Sequence, residues 1–222
     1  MTISVSINVN KSVYVKDPKT SNLGERIVSA SIDMIVDLGF ERFTFKKLAL
    51  QIGSTEASIY RYFESKNMLL LYLTSWYWEW MRYRLSMALT NIEDPTERLS
   101  RAVQLLTNEV TEDGQFSHID EVKLAEIINN ESAKVYMNKS VDDTNSTGVF
   151  LPYKRMVAEI SDIVLEINPK FKYPHMLIST VVEGCHHQRF FADHLPRLTD
   201  TIPGEDAIAD FYKTMVFKAI QQ

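Results

Sequence analysis

The run "GSTEASIYRYFESK", residues 53–66, has side chains suited to recognising a surface rather than transforming a substrate. On a helix advancing 100° per residue, Ala57 and Arg61 share one face, with Ser58 close beside them. Ile59 and Phe63 share the opposite face, and Tyr60 and Tyr62 fall on the flanks. Small residues allow close backbone approach, and arginine brings a fork of donors that fits phosphate or a guanine edge. A short helix with an apolar anchor and a small-plus-basic outer face suits insertion into a DNA major groove.

Lysines at helix starts give a second argument. A helix N-terminus carries partial positive charge, so lysine there costs roughly 0.3–1 kcal/mol. Lys46 and Lys47 stand in the first turn of one expected helix, and Lys66 opens another. Other helix starts follow the ordinary rule, with Glu25, Glu97 and the Glu205–Asp206 pair. A phosphate at the exceptional starts would reverse the sign, because amides, dipole and ammonium all favour the anion. The competing reading is that exposed lysines are tolerated anywhere at small cost. Their clustering around one motif favours the phosphate.

"EGCHHQRFFADH", residues 183–194, raises metal chemistry. Glu183 and His187 are four apart and share a helix face, with Cys185, His186 and His194 nearby. Adjacent histidines, however, point about 100° apart, and one helix rarely supplies a full coordination shell. Hydrogen-bonded core or interface histidines are therefore expected, with no metal and no cofactor. A redox switch at Cys185 is weaker still. The patterns G-x-S-x-G, G-x-G-x-x-G and G-x-x-x-x-G-K are missing, which argues against common hydrolase, dinucleotide and P-loop chemistry.

The elements that must position the reading face are helices, and the spacing predicts an all-α fold. Leu23, Ile27, Ala30, Met34 and Leu38 recur at helical intervals, with Gly39 as a C-terminal cap. Thr44 caps a second helix with Phe45, Leu48, Ala49 and Ile52 inward, and Gly53 stops it. Thr55 caps a third and Ser65 a fourth, so a helix-turn-helix is expected. From Lys66 the pattern runs to about Leu89, and Pro95 starts the next helix. Further helices are predicted over about 96–111, 118–137, 150–167, 174–195 and 205–221, with residues 138–148 as a loop. Residues 2–15 alternate (Ile3, Val5, Ile7, Val9, Val13, Val15) without a neighbouring strand, so residues 1–20 read as a flexible tail. Packing on a partner subunit, or Lys11, Lys16 and Lys19 on DNA, are the other readings of that tail.

Bulk properties fit this picture. The chain has 222 residues, 45% of them hydrophobic and 24% charged, as in an ordinary globular protein. Its net charge of −5 is unevenly placed. Residues 1–70 hold nine Lys/Arg against seven Asp/Glu, while the remainder holds fifteen against twenty-two. An acidic bulk limits indiscriminate adhesion to DNA and leaves recognition to one small surface. The single cysteine excludes an internal disulfide and favours a reducing compartment. No secretory h-region and no membrane-length apolar run is visible, so a cytoplasmic location is expected.

The run "GFERFTFKKLALQIGSTEASIYRYFESKNMLL", residues 39–70, resembles the DNA-binding domain of TetR-family transcriptional regulators. Gly39-Phe40, Thr44, Leu48-Ala49, Gly53, Thr55, Ile59-Tyr60, Phe63 and Lys66 stand at the family's spacing without insertion. The resemblance covers about residues 21–70. It implies that Thr44 and Lys46 hold phosphates from the second helix and Lys66 from the fourth. It further implies that Tyr60 touches the DNA backbone while Thr55, Ala57, Ser58, Arg61 and Tyr62 face the groove. Glu56 departs from the family's usual lysine or arginine, and Tyr62 from its frequent histidine. Glu56 either accepts from a cytosine amine or satisfies the helix dipole, and the dipole is favoured.

After the flexible tail over 1–20, the resemblance implies a DNA-binding domain over 21–66 and an effector-binding and dimerisation domain over 67–222. Homodimerisation through the last two long helices would use Val181, Gly184, Gln188 and Phe191 from one, and Phe211 and Met215 from the other. The aromatic run at residues 72–83 makes Trp76, Tyr77 and Trp80 the candidates for binding a small apolar or aromatic effector, with ordinary core aromatics as the other reading. The expected function is a repressor of transcription that binds operator DNA with an affinity set by that effector, and has no membrane partner. The alternatives are a helical adaptor without DNA binding, or an enzyme.

Overall fold

The computed structural model describes residues 6–112, 114–116 and 118–221. Ten α-helices and three short 3-10 turns form within them: α1 Asn22–Leu38, α2 Phe45–Gln51, α3 Glu56–Tyr60, α4 Lys66–Leu89, α5 Pro95–Thr107, α6 Glu121–Tyr136, α7 Val141–Ser146, α8 Leu151–Ile167, α9 Pro174–His194 and α10 Ala207–Ile220. The all-α expectation is met.

Local chemistry fixes the early boundaries. The Gly39 amide closes α1 on the Ile35 carbonyl at 2.8 Å, with the glycine at φ 77°. Thr44 Oγ1 accepts from the Lys47 amide, Thr55 Oγ1 from the Ser58 amide, and Ser65 Oγ from the Met68 amide. Each removes one orphan donor from a helix start. Gly53, at φ 62°, makes the turn between α2 and α3, a conformation costly for a residue with a side chain.

The chain forms two compact units, residues 1–79 with 110–151 and residues 80–109 with 152–222. These do not follow the functional boundaries read at residues 20 and 66, because α6 packs on α1. Lys123 Nζ meets Asp33 Oδ1 at 2.5 Å, and Lys134 reaches Glu41 at 3.3 Å. In the same unit Trp78 Nε1 donates to Tyr136 Oη at 2.6 Å. Tyr72–Trp78 of α4 is buried without interruption, as expected for a helix that is apolar all round.

In the second unit α5, α9 and α10 pack on one another. Arg189 of α9 joins them, donating to the Thr107 carbonyl and to Asp206 Oδ2, each at 2.5 Å. Asp206 in turn caps α10 by accepting from the Ala209 amide. No helix among the described residues is long and apolar enough to cross a membrane.

Two expectations change. Residues 138–148 contain the short helix α7, and Asn138 shapes the entry by accepting from the Ser140 amide at 2.9 Å. Residues 7–20 are not a loose tail: Ile7, Val9, Val13 and Pro18 are buried, and two 3-10 turns at Lys11–Val13 and Pro18–Thr20 order the backbone. Of the alternating apolar residues, Ile7, Val9 and Val13 are buried without pairing as a strand, while Val15 is exposed. Ile3 and Val5 lie outside the described residues.

Candidate nucleic-acid interface

The reading helix is anchored and faced as its sequence pattern requires. Ile59 and Phe63 are fully buried, while Thr55, Glu56, Ala57, Tyr60 and Arg61 are exposed and Ser58 is half-buried. Thr55 Oγ1 and Ser58 Oγ lie 2.8 Å apart at the N-terminus of α3. Tyr60 stands edge-on to Phe45 of α2 at 5.1 Å, leaving nearly half its surface exposed. Arg26 of α1 donates to the Ile52 carbonyl and so holds the turn that sets α2 against α3.

Charge is placed less simply. Lys46 is exposed. Lys47 Nζ donates to the Arg42 carbonyl at 2.8 Å. Lys66 Nζ donates to the carbonyls of Phe40 at 3.0 Å, Glu41 at 3.2 Å and Phe43 at 3.5 Å, above the Phe40 ring. Backbone oxygens of the α1–α2 loop thus supply negative potential beside Lys66 at this helix start. Carbonyl dipoles supply the negative potential expected of an anion, and sequence alone does not distinguish the two.

Tyr62 departs from its expected place. It is 4% exposed and does not face the groove side of α3. Its amide donates to the Ile59 carbonyl at 2.8 Å, closing α3, and its carbonyl accepts from the Val15 amide at 2.8 Å. Its hydroxyl lies 2.7 Å from Ser21 Oγ and accepts from Lys16 Nζ at 3.3 Å. These partners, Ser21 foremost, lower its phenol pKa. No local periodicity signals contacts that span about forty residues of chain.

The effector candidates Trp76, Tyr77 and Trp80 are core residues. Trp76 meets Phe116 edge-on at 5.2 Å, Tyr77 meets Trp78 at 5.0 Å, and the Arg84 guanidinium covers the Trp80 ring at 4.7 Å. A cleft of about 580 Å³ opens elsewhere, lined by Tyr153, Val157, Ala158, His175, Met176 and Ser179 among others.

The dimerisation candidates divide. Val181 is fully buried within its own unit. A Cβ on Gly184 would stand 2.3 Å from Tyr212 Oη, so this glycine admits α10 of the same chain, not a second backbone. Gln188, Phe191 and Met215 are half-buried, and Phe211 is 59% exposed. The residues weighed for metal binding have other roles. Glu183 accepts from Tyr153 Oη at 2.8 Å, and Cys185 Sγ donates to the Thr107 carbonyl at 3.4 Å. His186 is buried, which lowers its pKa to about 4. No metal-holding group of three such residues occurs among the described residues.

Comparison with known proteins settles the family of the N-terminal helices. Residues 27–73 match the profile described as bacterial regulatory proteins, tetR family. These residues are those of a TetR-type DNA-binding domain. The chain is 36% identical over 89 residues to the nucleoid occlusion factor SlmA of Vibrio vulnificus, a match covering 40% of this chain and 45% of that relative. Among solved structures, a tetR-family regulatory protein from Rhodococcus RHA1 superposes with a TM-score of 0.59 at 12% identity, covering 90% of this chain and 96% of that one. AibR, solved with isovaleryl coenzyme A and operator DNA, gives a TM-score of 0.56 at 16% identity, over 86% and 96% of the two chains. The TetR fold therefore extends well beyond the helix-turn-helix.

Proposed function

We propose that this chain is a homodimeric, cytoplasmic repressor of the TetR family that reads operator DNA through α3 and loses affinity when a small molecule binds. The supporting observation is the exposed Thr55, Ala57 and Arg61, with half-buried Ser58 beside them, backed by fully buried Ile59 and Phe63. Thr44 and Lys46 would hold phosphates at the start of α2, and Tyr60 would touch the DNA backbone from the flank. One short helix reads too few bases to be selective, so two copies would place their α3 helices about 34–36 Å apart in successive grooves. Phe211, with the half-buried Phe191 and Met215, would supply an apolar face for that pairing, with Gln188 as a polar neighbour. The reading head would comprise residues 21–66, with effector response and pairing assigned to 67–222.

The ~580 Å³ cleft beside Met176 falls in the size range of small-molecule sites and is the candidate port for an apolar effector. AibR, crystallised with both an acyl-CoA ester and operator DNA, shows that the same fold can hold the two ligand classes. The test is selection of duplexes from a random-sequence library, followed by affinity measured against salt. Binding should weaken steeply as counterions are restored, by a factor on the order of 10³ or more between 50 and 200 mM for several phosphate contacts. Lys46→Glu with Arg61→Glu should abolish binding and leave melting and dimerisation intact. A wild-type chain that enriches no duplex would exclude the proposal.

A further inference from the structure

Residues 7–21 connect the reading helix to a distant turn of the same unit. At one end, Asn10 Nδ2 donates to the Thr147 carbonyl at 3.0 Å, and Ser12 Oγ lies 3.3 Å from Thr147 Oγ1. Thr147 follows α7 and precedes α8. At the other end, Val15, Lys16 and Ser21 bond Tyr62, the residue that closes α3. Ser12 and Val15 are three residues apart, so the chain between the two attachments spans at most about 10–11 Å.

The segment is held along its length. Asn10 Oδ1 accepts from the Ser12 amide at 2.9 Å and Asp17 Oδ1 from the Lys19 amide at 3.0 Å. Lys19 Nζ donates to the Ile7 carbonyl at 2.6 Å, closing the segment on itself. Pro18 lies so close to α1 that a Cβ on Gly24 would stand 2.2 Å from its carbonyl oxygen. Tyr14 meets Tyr72 of α4 edge-on at 6.1 Å, and Val13 is buried. A segment this short and this fixed transmits displacement: a shift of several ångströms at Thr147 must either break the Asn10 and Ser12 bonds or move Tyr62.

We propose that residues 7–21 are a tether that sets the pose of α3 through Tyr62 and makes it depend on the Thr147 turn. Asn10, Ser12 and Tyr62 are then positioning residues for DNA recognition, acting through α3 without touching DNA. This inference rests on the DNA-reading function proposed above.

The test uses the full chain carrying Asn10→Asp with Ser12→Ala. Aspartate keeps the acceptor for the Ser12 amide and loses the donor to Thr147, so the 3-10 turn survives while the attachment is cut. Tyr62→Phe removes the Ser21 and Lys16 bonds at the other end and leaves the backbone bond from Val15. Two quantities are read for each variant: affinity for a duplex that the wild-type chain enriches from a random library, and amide exchange at residues 59–63. We expect binding about 5–20-fold weaker with an unchanged salt slope, the scale of ordinary coupling between sites, and exchange faster by a similar factor. A merely structural attachment would lower the melting temperature and leave both readouts alone. Either readout within twofold of wild type for the Asn10→Asp, Ser12→Ala chain overturns the tether. If the wild-type chain enriches no duplex, the DNA-reading function falls instead, and unchanged exchange at 59–63 still overturns the tether on its own.

Discussion

Thr55 offers a substitution that separates the stability of the reading helix from its function. Its hydroxyl accepts from the Ser58 amide at 3.2 Å and pairs with the Ser58 hydroxyl, at the start of a helix only five residues long. Aspartate is at least as good an N-cap as threonine, and its charge at a helix N-terminus is worth roughly 0.3–1 kcal/mol. Thr55→Asp should therefore leave stability equal or slightly higher, raising the melting temperature of a chain this size by no more than about 4 °C. In the DNA complex the same carboxylate would stand near phosphates. At about 6 Å, repulsion is on the order of 0.7 kcal/mol in bulk water and 2.8 kcal/mol at an effective dielectric of 20, or roughly 3- to 100-fold per reading head. Thr55→Ala should behave differently, losing about 1 kcal/mol of cap and binding more weakly because α3 frays.

Thermal melts paired with fluorescence anisotropy on a library-selected duplex distinguish the two variants. The expected pattern is a stable, poorly binding aspartate chain and a less stable alanine chain, with the aspartate defect shrinking as salt rises. An aspartate chain that binds like wild type at low salt would refute the placement of the α3 N-terminus against DNA. One that melts several degrees lower would refute the cap.

Two further predictions concern the second unit. Gly184→Ala places a methyl group 2.3 Å from Tyr212 Oη and 3.0 Å from its Cζ, so overpacking should cost roughly 1–3 kcal/mol. Adding Tyr212→Phe should recover part of that loss, and a double-mutant cycle without coupling would contradict the contact. His186 is held neutral by burial first and the neighbouring His187 second, with its pKa lowered to about 4 from an ordinary value of 6.5. A folded-state pKa below the unfolded one means that the unfolded chain binds the proton more readily. The contribution is therefore fully present above about pH 6.5 and lost as pH falls towards 4, by up to roughly 3 kcal/mol. Urea midpoints between pH 7.5 and 4.5 should fall more steeply for wild type than for His186→Gln, and parallel curves would contradict the buried neutral imidazole.

The features legible in the sequence share one property, which is that their partners lie within four residues. Thr44, Thr55 and Ser65 cap amides three positions on, Gly39 closes on Ile35, and the Ile59–Phe63 anchor follows helical spacing, so periodicity and cap chemistry place all of them. Lys66, Tyr62 and Gly184 were readable in type but not in role. Each meets a partner more than twenty residues away: the 40–43 carbonyls, Ser21 with Lys16, and Tyr212. The lysine is the instructive case. A cation at a helix N-terminus requires nearby negative potential, and three backbone carbonyls supply some of it. The electrostatic rule was sound, but the identity of the acceptor is a tertiary fact. The same reasoning gives residues 7–20 their altered standing, because alternating apolar residues show only that one side seeks burial. The strand they suggest would need a neighbour along its edge. The helices of this fold instead offer surfaces such as Gly24 on α1 and Tyr72 on α4, which a segment broken by 3-10 turns can cover while its polar groups reach Thr147 and Tyr62.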